Sequence, residues 1–133
     1  MLLVISPVQE DHIFIQNALR DQEIPVLGVS TAREGLALLR HRPARLVIAE
    51  KELPDGDWKH LLTALAEMSC PPLLIVASRQ ADDCLWAEVL NLGGYDVLAK
   101  PFSREELSRV AQQAYAHHAR IPAPPGILTP AWT

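Results

Sequence analysis

From its amino end the chain alternates short apolar runs with longer amphipathic ones. Five runs have strand length: LLVI at 2–5, PVLGV at 25–29, RLVIA at 45–49, PLLIVA at 72–77 and YDVLA at 95–99. Several are apolar throughout, without the alternation of a sheet with one wet face, so both faces are expected to be covered. The intervening segments read as helices with recognisable starts. Ser6, Pro7 and Gln9 suit an N-cap, a first helical residue and a capping-box partner. Thr31 to Glu34 and Ser103 to Glu106 repeat the capping-box spacing, and Asp57 can cap a helix running from Trp58 to about Met68. Gly93-Gly94 closes the fourth helix, and the last helix aligns Leu107, Val110, Ala111, Ala114 and Tyr115 on one face. This strict alternation predicts an α/β fold: a doubly wound five-stranded parallel sheet with helices on both faces.

Composition narrows the setting. A chain of 133 residues, 49% hydrophobic and 21% charged, is long enough for one domain with a real core. A formal charge of −4 and the lack of a basic stripe argue against nucleic acid as the partner. No apolar run approaches the roughly 18 residues of a membrane span. MLLVISP lacks a basic start and a cleavage site, so it reads as a first strand and the expected location is cytoplasmic. Cys70 and Cys84 have no metal-ligand spacing and are expected to stay reduced, and only His117 and His118 are adjacent among the histidines. Residues 1–119 make the expected domain. From 120 to 133 the chain turns proline-rich, and IPAPPGILTPAWT reads first as a tail or linker. The sharper alternative is a docking segment using Ile127, Leu128 and Trp132.

Function in an open parallel sheet gathers beyond the carboxyl ends of the strands. That rule selects Ser6-Pro7, Glu50, Ala77-Ser78 and Lys100-Pro101. Around them stand RLVIAEKELPDGDW, LLIVASR and GGYDVLAKPFSREEL, with Lys-Pro-Phe following the last strand. On these residues the chain resembles the receiver domain of bacterial two-component response regulators, the CheY-like superfamily. The resemblance implies a flavodoxin-like (βα)5 fold with strand order 2-1-3-4-5 and a role in phosphorelay signalling without enzymatic activity. It also implies protein partners: a kinase, an effector, or a second copy in a homodimer. The implied contact face is the fourth helix, fifth strand and fifth helix, with no role for nucleic acid or membrane.

An active receiver carries an acid pair after the first strand, a phosphoacceptor aspartate after the third, a hydroxyl after the fourth and a lysine after the fifth. The carboxylates hold magnesium, and cation and lysine together neutralise the phosphoryl group. Here the acid-pair positions are Ser6 and Pro7, the phosphoacceptor position is Glu50, and the hydroxyl position is Ala77, with Ser78 one residue on. The switch-aromatic position within the fifth strand is Val97. Only Lys100, with Pro101, keeps the family's residue. Glu10 and Asp11 come later, on the expected first helix, and are poor substitutes, which leaves Glu50 and Glu52 as the available magnesium ligands. Glu50 is one methylene longer than aspartate, and in-line phosphoryl transfer tolerates little displacement. The reading is a pseudo-receiver with no cofactor, magnesium being expected only if the domain is active after all. Glu50 and Lys100 are expected to pair, either imitating the phosphorylated state or neutralising two leftover charges. The alternatives are an atypical receiver that still takes metal or phosphate, and a small phosphate- or nucleotide-binding α/β protein. Trp58 is expected to be a partly buried anchor at a helix start, and Trp86, with Leu85, Val89 and Leu90, to belong to the core.

Overall fold

A computed structural model describes residues 1–121, so Ile127, Leu128 and Trp132 lie outside the described residues. The main sheet is built from β1 (Leu2–Ile5), β2 (Val26–Val29), β3 (Leu46–Glu50), β6 (Leu73–Ser78) and β7 (Asp96–Ala99), all parallel, in the order β2-β1-β3-β6-β7. These are the five runs expected, in the order 2-1-3-4-5. The numbering skips because β4 (Glu52–Leu53) and β5 (Gly56–Asp57) form a two-residue antiparallel hairpin after β3. Apolar periodicity cannot reveal so short a ladder. Gly56, at φ 145°, supplies a backbone conformation that side-chain-bearing residues rarely adopt.

The helices are α1 (Gln9–Ala18), α2 (Ala32–Leu39), α3 (Trp58–Ala66), α4 (Asp83–Leu92) and α5 (Arg104–Ala119). Successive strand residues point to opposite faces, which is why the strands are apolar without alternation. Leu2, Val4, Leu46, Ile48 and Ile75 join Ile15 of α1 and Leu107, Val110, Ala111 and Ala114 of α5 in one core. Leu3, Ile5, Val47, Ala49 and Val76 face the other core, with Leu61 and Leu65 of α3 and Leu85 and Val89 of α4.

Local signals set most helix ends. Thr31 accepts from Glu34 N–H at 3.1 Å, Asp57 from Lys59 N–H at 3.1 Å, and Ser103 from Glu106 N–H at 3.3 Å. Gly93, at φ 106°, terminates α4. The first helix departs from expectation. It begins at Gln9 with Val8 as N-cap, because the Ser6 hydroxyl accepts from Val8 N–H at 3.0 Å and holds residues 6–8 in a turn. Pro7 is therefore outside the helix.

A long-range cap joins the hairpin to α2. The Asp55 carboxylate accepts from Ala32 N–H at 3.0 Å and from Arg33 N–H at 2.9 Å. With Thr31 on Glu34, three consecutive donors at the α2 amino end are satisfied. The Arg33 N–H, opposed by burial and helped by the Ala32 N–H, holds the Asp55 carboxyl below its ordinary pKa. A lowered folded-state pKa contributes stability that is present above the ordinary carboxylate value and fades as pH falls through the folded value. Asp55→Ala is expected to cost about 0.5–1 kcal/mol at neutral pH, the low side of measured caps because the carboxylate is exposed. The deficit should narrow as pH falls below the ordinary carboxylate value, as urea titrations at neutral and acidic pH would read.

Both tryptophan expectations need correction. Trp58 is fully buried at 1% exposure, because the hairpin folds back and Trp58 N–H donates to Lys51 O at 3.1 Å. Trp86 is 50% exposed, and its indole N–H reaches Asp96 Oδ1 at 3.3 Å. The inward face of α4 is taken by Leu85 and Val89, while Leu90 is half-buried. A residue adjacent to Leu85 on a helix cannot share its face.

Candidate functional site

The carboxyl ends of β1, β3, β6 and β7 converge as expected, and a buried charge cluster stands there. Glu50 is the last residue of β3 and pairs in register with Ala77 of β6. Lys100 follows β7, with its N–H donating to Ser78 O at 2.9 Å and a cis bond to Pro101. The Lys100 ammonium lies 2.7 Å from Glu50 Oε2, so the expected pair forms. It does not span neighbouring strands, because β6 runs between β3 and β7. Ala77, small and buried, ends that intervening strand alongside Ser78.

The same ammonium donates to Asp11 Oδ2 at 2.7 Å, and the Ser6 hydroxyl donates to that oxygen, also at 2.7 Å. Asp11 is buried, with 7% exposure, and Lys100 has 8%. Asp11, expected only as a poor substitute for the missing acid pair, is thus the second carboxylate beside Lys100. With the helix beginning at Gln9, Asp11 is its third residue, and side chains there lean back toward the helix amino end and the strand. The signal was present in the sequence: a serine able to bind Val8 delays the helix by two residues.

The other candidates are placed apart. Glu10 is exposed, and Glu52 is exposed on the hairpin, so Asp11 rather than Glu52 is the second carboxylate. Pro7 is exposed and offers no charge. The Ser78 hydroxyl is buried and accepts from Gln80 N–H at 3.0 Å, which commits it to the following turn. Val97 packs with the α2–α4 side of the core. One missed neighbour is His12, whose Nε2 lies 2.8 Å from Ser6 O and whose ring occupies the space a Cβ on Gly28 would need.

The electrostatics follow from burial. Burial pulls the Lys100 pKa down, but its bonds to Asp11 and Glu50 and their charges outweigh that and raise it above the ordinary value. The Lys100 ammonium is the partner of the buried Glu50 Oε2, which has no other hydrogen-bond donor among the described residues. We expect the stability that Lys100 contributes to be complete below the ordinary lysine pKa and lost only as pH rises through the raised folded value. Unfolding midpoints should thus show no Lys100-dependent change between pH 6 and 9.

Magnesium, which the resemblance implies for an active receiver, does not fit these residues. Its ligands would be Asp11 and Glu50, and a lysine ammonium already stands between them. Among the described residues no group of three or more His, Cys, Asp or Glu could hold a metal ion. The first strand-to-helix turn, Ser6-Pro7-Val8, has no glycine to cradle a phosphate. No described helix is long and apolar enough to cross a membrane.

Comparison with known proteins agrees with this geometry. Residues 8–112 match the family model of the response regulator receiver domain. The chain is similar to the KDP operon transcriptional regulatory protein KdpE of Escherichia coli strain K12, 28% identical over 123 residues, covering 92% of this chain and 54% of KdpE. It is also similar to the hydrogenase transcriptional regulatory protein HoxA of Cupriavidus necator, 31% identical over 111 residues, covering 80% of this chain and 23% of HoxA. The chain thus spans about half of one relative and a quarter of the other. Among solved structures, the receiver domain of the Francisella response regulator 1452 superposes with a TM-score of 0.79 at 23% identity, covering 87% of this chain and 96% of that one.

Proposed function

Because this chain belongs to the response regulator receiver domain family, we propose that it is a phosphorylation-independent receiver that signals through contacts with other proteins and catalyses nothing. The observation that carries this reading is the Lys100 ammonium committed to Glu50 and Asp11 at 2.7 Å each. In the family that lysine contacts the phosphoryl group, so here a phosphoryl group would have to displace a carboxylate already in place. The cluster holds two carboxylates against one ammonium, and an incoming group of up to about −2 would meet excess negative charge. Ala77 offers no hydroxyl and Val97 no ring, so the usual relay from site to surface lacks both moving parts.

The Glu50–Lys100 pair then stands in, at lower charge, for the phosphoacceptor–lysine contact and favours one conformation. Output through the face formed by α4, β7 and α5 is supported by the half-exposed Trp86, held by Asp96 of β7. The partner on that face is a kinase, an effector or a second copy, and the setting is cytoplasmic. Residues 1–119 form the signalling domain.

Incubation with acetyl phosphate and magnesium is expected to leave the intact mass unchanged. A gain of one phosphoryl group would overturn the reading in favour of an atypical active receiver. Glu50→Gln tests the imitation separately. We expect amide chemical shifts to change from the site to α4 and β7, and partner binding to fall severalfold. If shifts move only beside residue 50 and binding holds, the pair is a relic.

A further inference from the structure

The acid that the first strand lacks has been supplied from α1, and the space between it and the β3 acid is filled by the chain's own cation. Asp11 and Glu50 come from different elements, yet each places one oxygen 2.7 Å from the same nitrogen. Two carboxylate oxygens converging from separate elements, with a serine hydroxyl on one of them, make a hard-oxygen site for a cation. The occupant does not fully compensate the site: two carboxylates face one ammonium, the cluster retains one negative charge, and the buried Glu50 Oε2 has no donor besides that ammonium among the described residues.

We propose that the Lys100 ammonium is the resident cation of a two-carboxylate site, in the role a divalent metal ion would otherwise fill, and that its charge is what excludes such ions. An ammonium and a divalent ion cannot share these oxygens, since their repulsion at contact distance in a largely buried site exceeds what the remaining charge can offset. An ammonium tethered to the chain is also never lost to dilution, so the cluster stays assembled whatever the ion concentration. Removing the lysine charge leaves Asp11 and Glu50 facing one vacated position. That position opens to solvent beside Glu50, whose side chain keeps 18% exposure. It should accept magnesium, manganese or calcium, completed by water, with the weak affinity of a site having few carboxylates.

This inference rests on the phosphorylation-independent reading, and its test contains no phosphodonor, so the two can fail separately. Free manganese is measured by electron paramagnetic resonance during titration of the parent, Lys100→Ala and Lys100→Gln. We expect negligible binding by the parent and one site in Lys100→Ala at least tenfold tighter, with magnesium or manganese raising the melting temperature of the variant alone. Adding Asp11→Asn or Glu50→Gln to Lys100→Ala should abolish the gain. Lys100→Gln keeps most of the side-chain volume and serves if Lys100→Ala fails to fold. Equal binding by parent and variant, or folded variants without the gain, would overturn the proposal. A phosphoryl mass gain in the separate acetyl phosphate experiment would sink only the earlier reading.

Discussion

Replacing Lys100 with methionine is expected to remove about 3 kcal/mol of folding stability at pH 7, the low end of the cost of breaking a buried ion pair. The side chain keeps its length and most of its volume, so packing loss is minor. What remains is two carboxylates, Asp11 and Glu50, facing each other with the cation gone. The low end applies because Glu50 is in contact with solvent and can turn outward, whereas Asp11 is held by Ser6. Urea unfolding at pH 7 of the parent, of Lys100→Met and of Lys100→Met with Glu50→Gln added measures this. If removing the second carboxylate charge recovers none of the loss, Lys100 stabilises the fold by packing alone.

Trp58→Ala should cost about 3–5 kcal/mol, the range for deleting a large aromatic from a core that cannot collapse around the void. Trp58 sits among Leu53, Leu61, Leu65 and Leu85 on the α2–α4 side of the sheet. Its backbone N–H, which alanine keeps, donates to Lys51 O in the loop that leaves Glu50. The expected loss is therefore one of core packing. Trp86→Ala is the internal contrast: half-exposed, with one long hydrogen bond, it should change stability by no more than about 0.5 kcal/mol. Urea midpoints of the two variants, followed by circular dichroism, separate the cases. Comparable losses would place Trp86 in the core after all.

Much of the molecule was legible before any coordinates. The five strands, the caps at Thr31, Asp57 and Ser103, and the stop at Gly93 were all readable from residues a few positions apart, whereas the strand order followed only from the family resemblance. The same local reading put Glu50 and Lys100 at strand ends, where they meet. It went wrong at α1, where one serine–backbone bond competes with a proline start and the helix begins at Gln9. It went wrong again at α4, where tryptophan's apolar character suggested core but the helical period had already assigned the inward face to Leu85 and Val89.

The sequence by itself determined the alternation of elements, the class of fold and the slot that Glu50 occupies, because periodicity and capping act within one or two turns of chain. Only the tertiary structure decided what Glu50 has for company. Asp11 and Lys100 lie 89 residues apart along the chain, and Asp55 caps a helix 22 to 23 residues before it. Such pairs depend on strand order and on the rotation of each helix against the sheet, which no short window of residues contains. The charge cluster at the carboxyl end of the sheet is a product of that geometry.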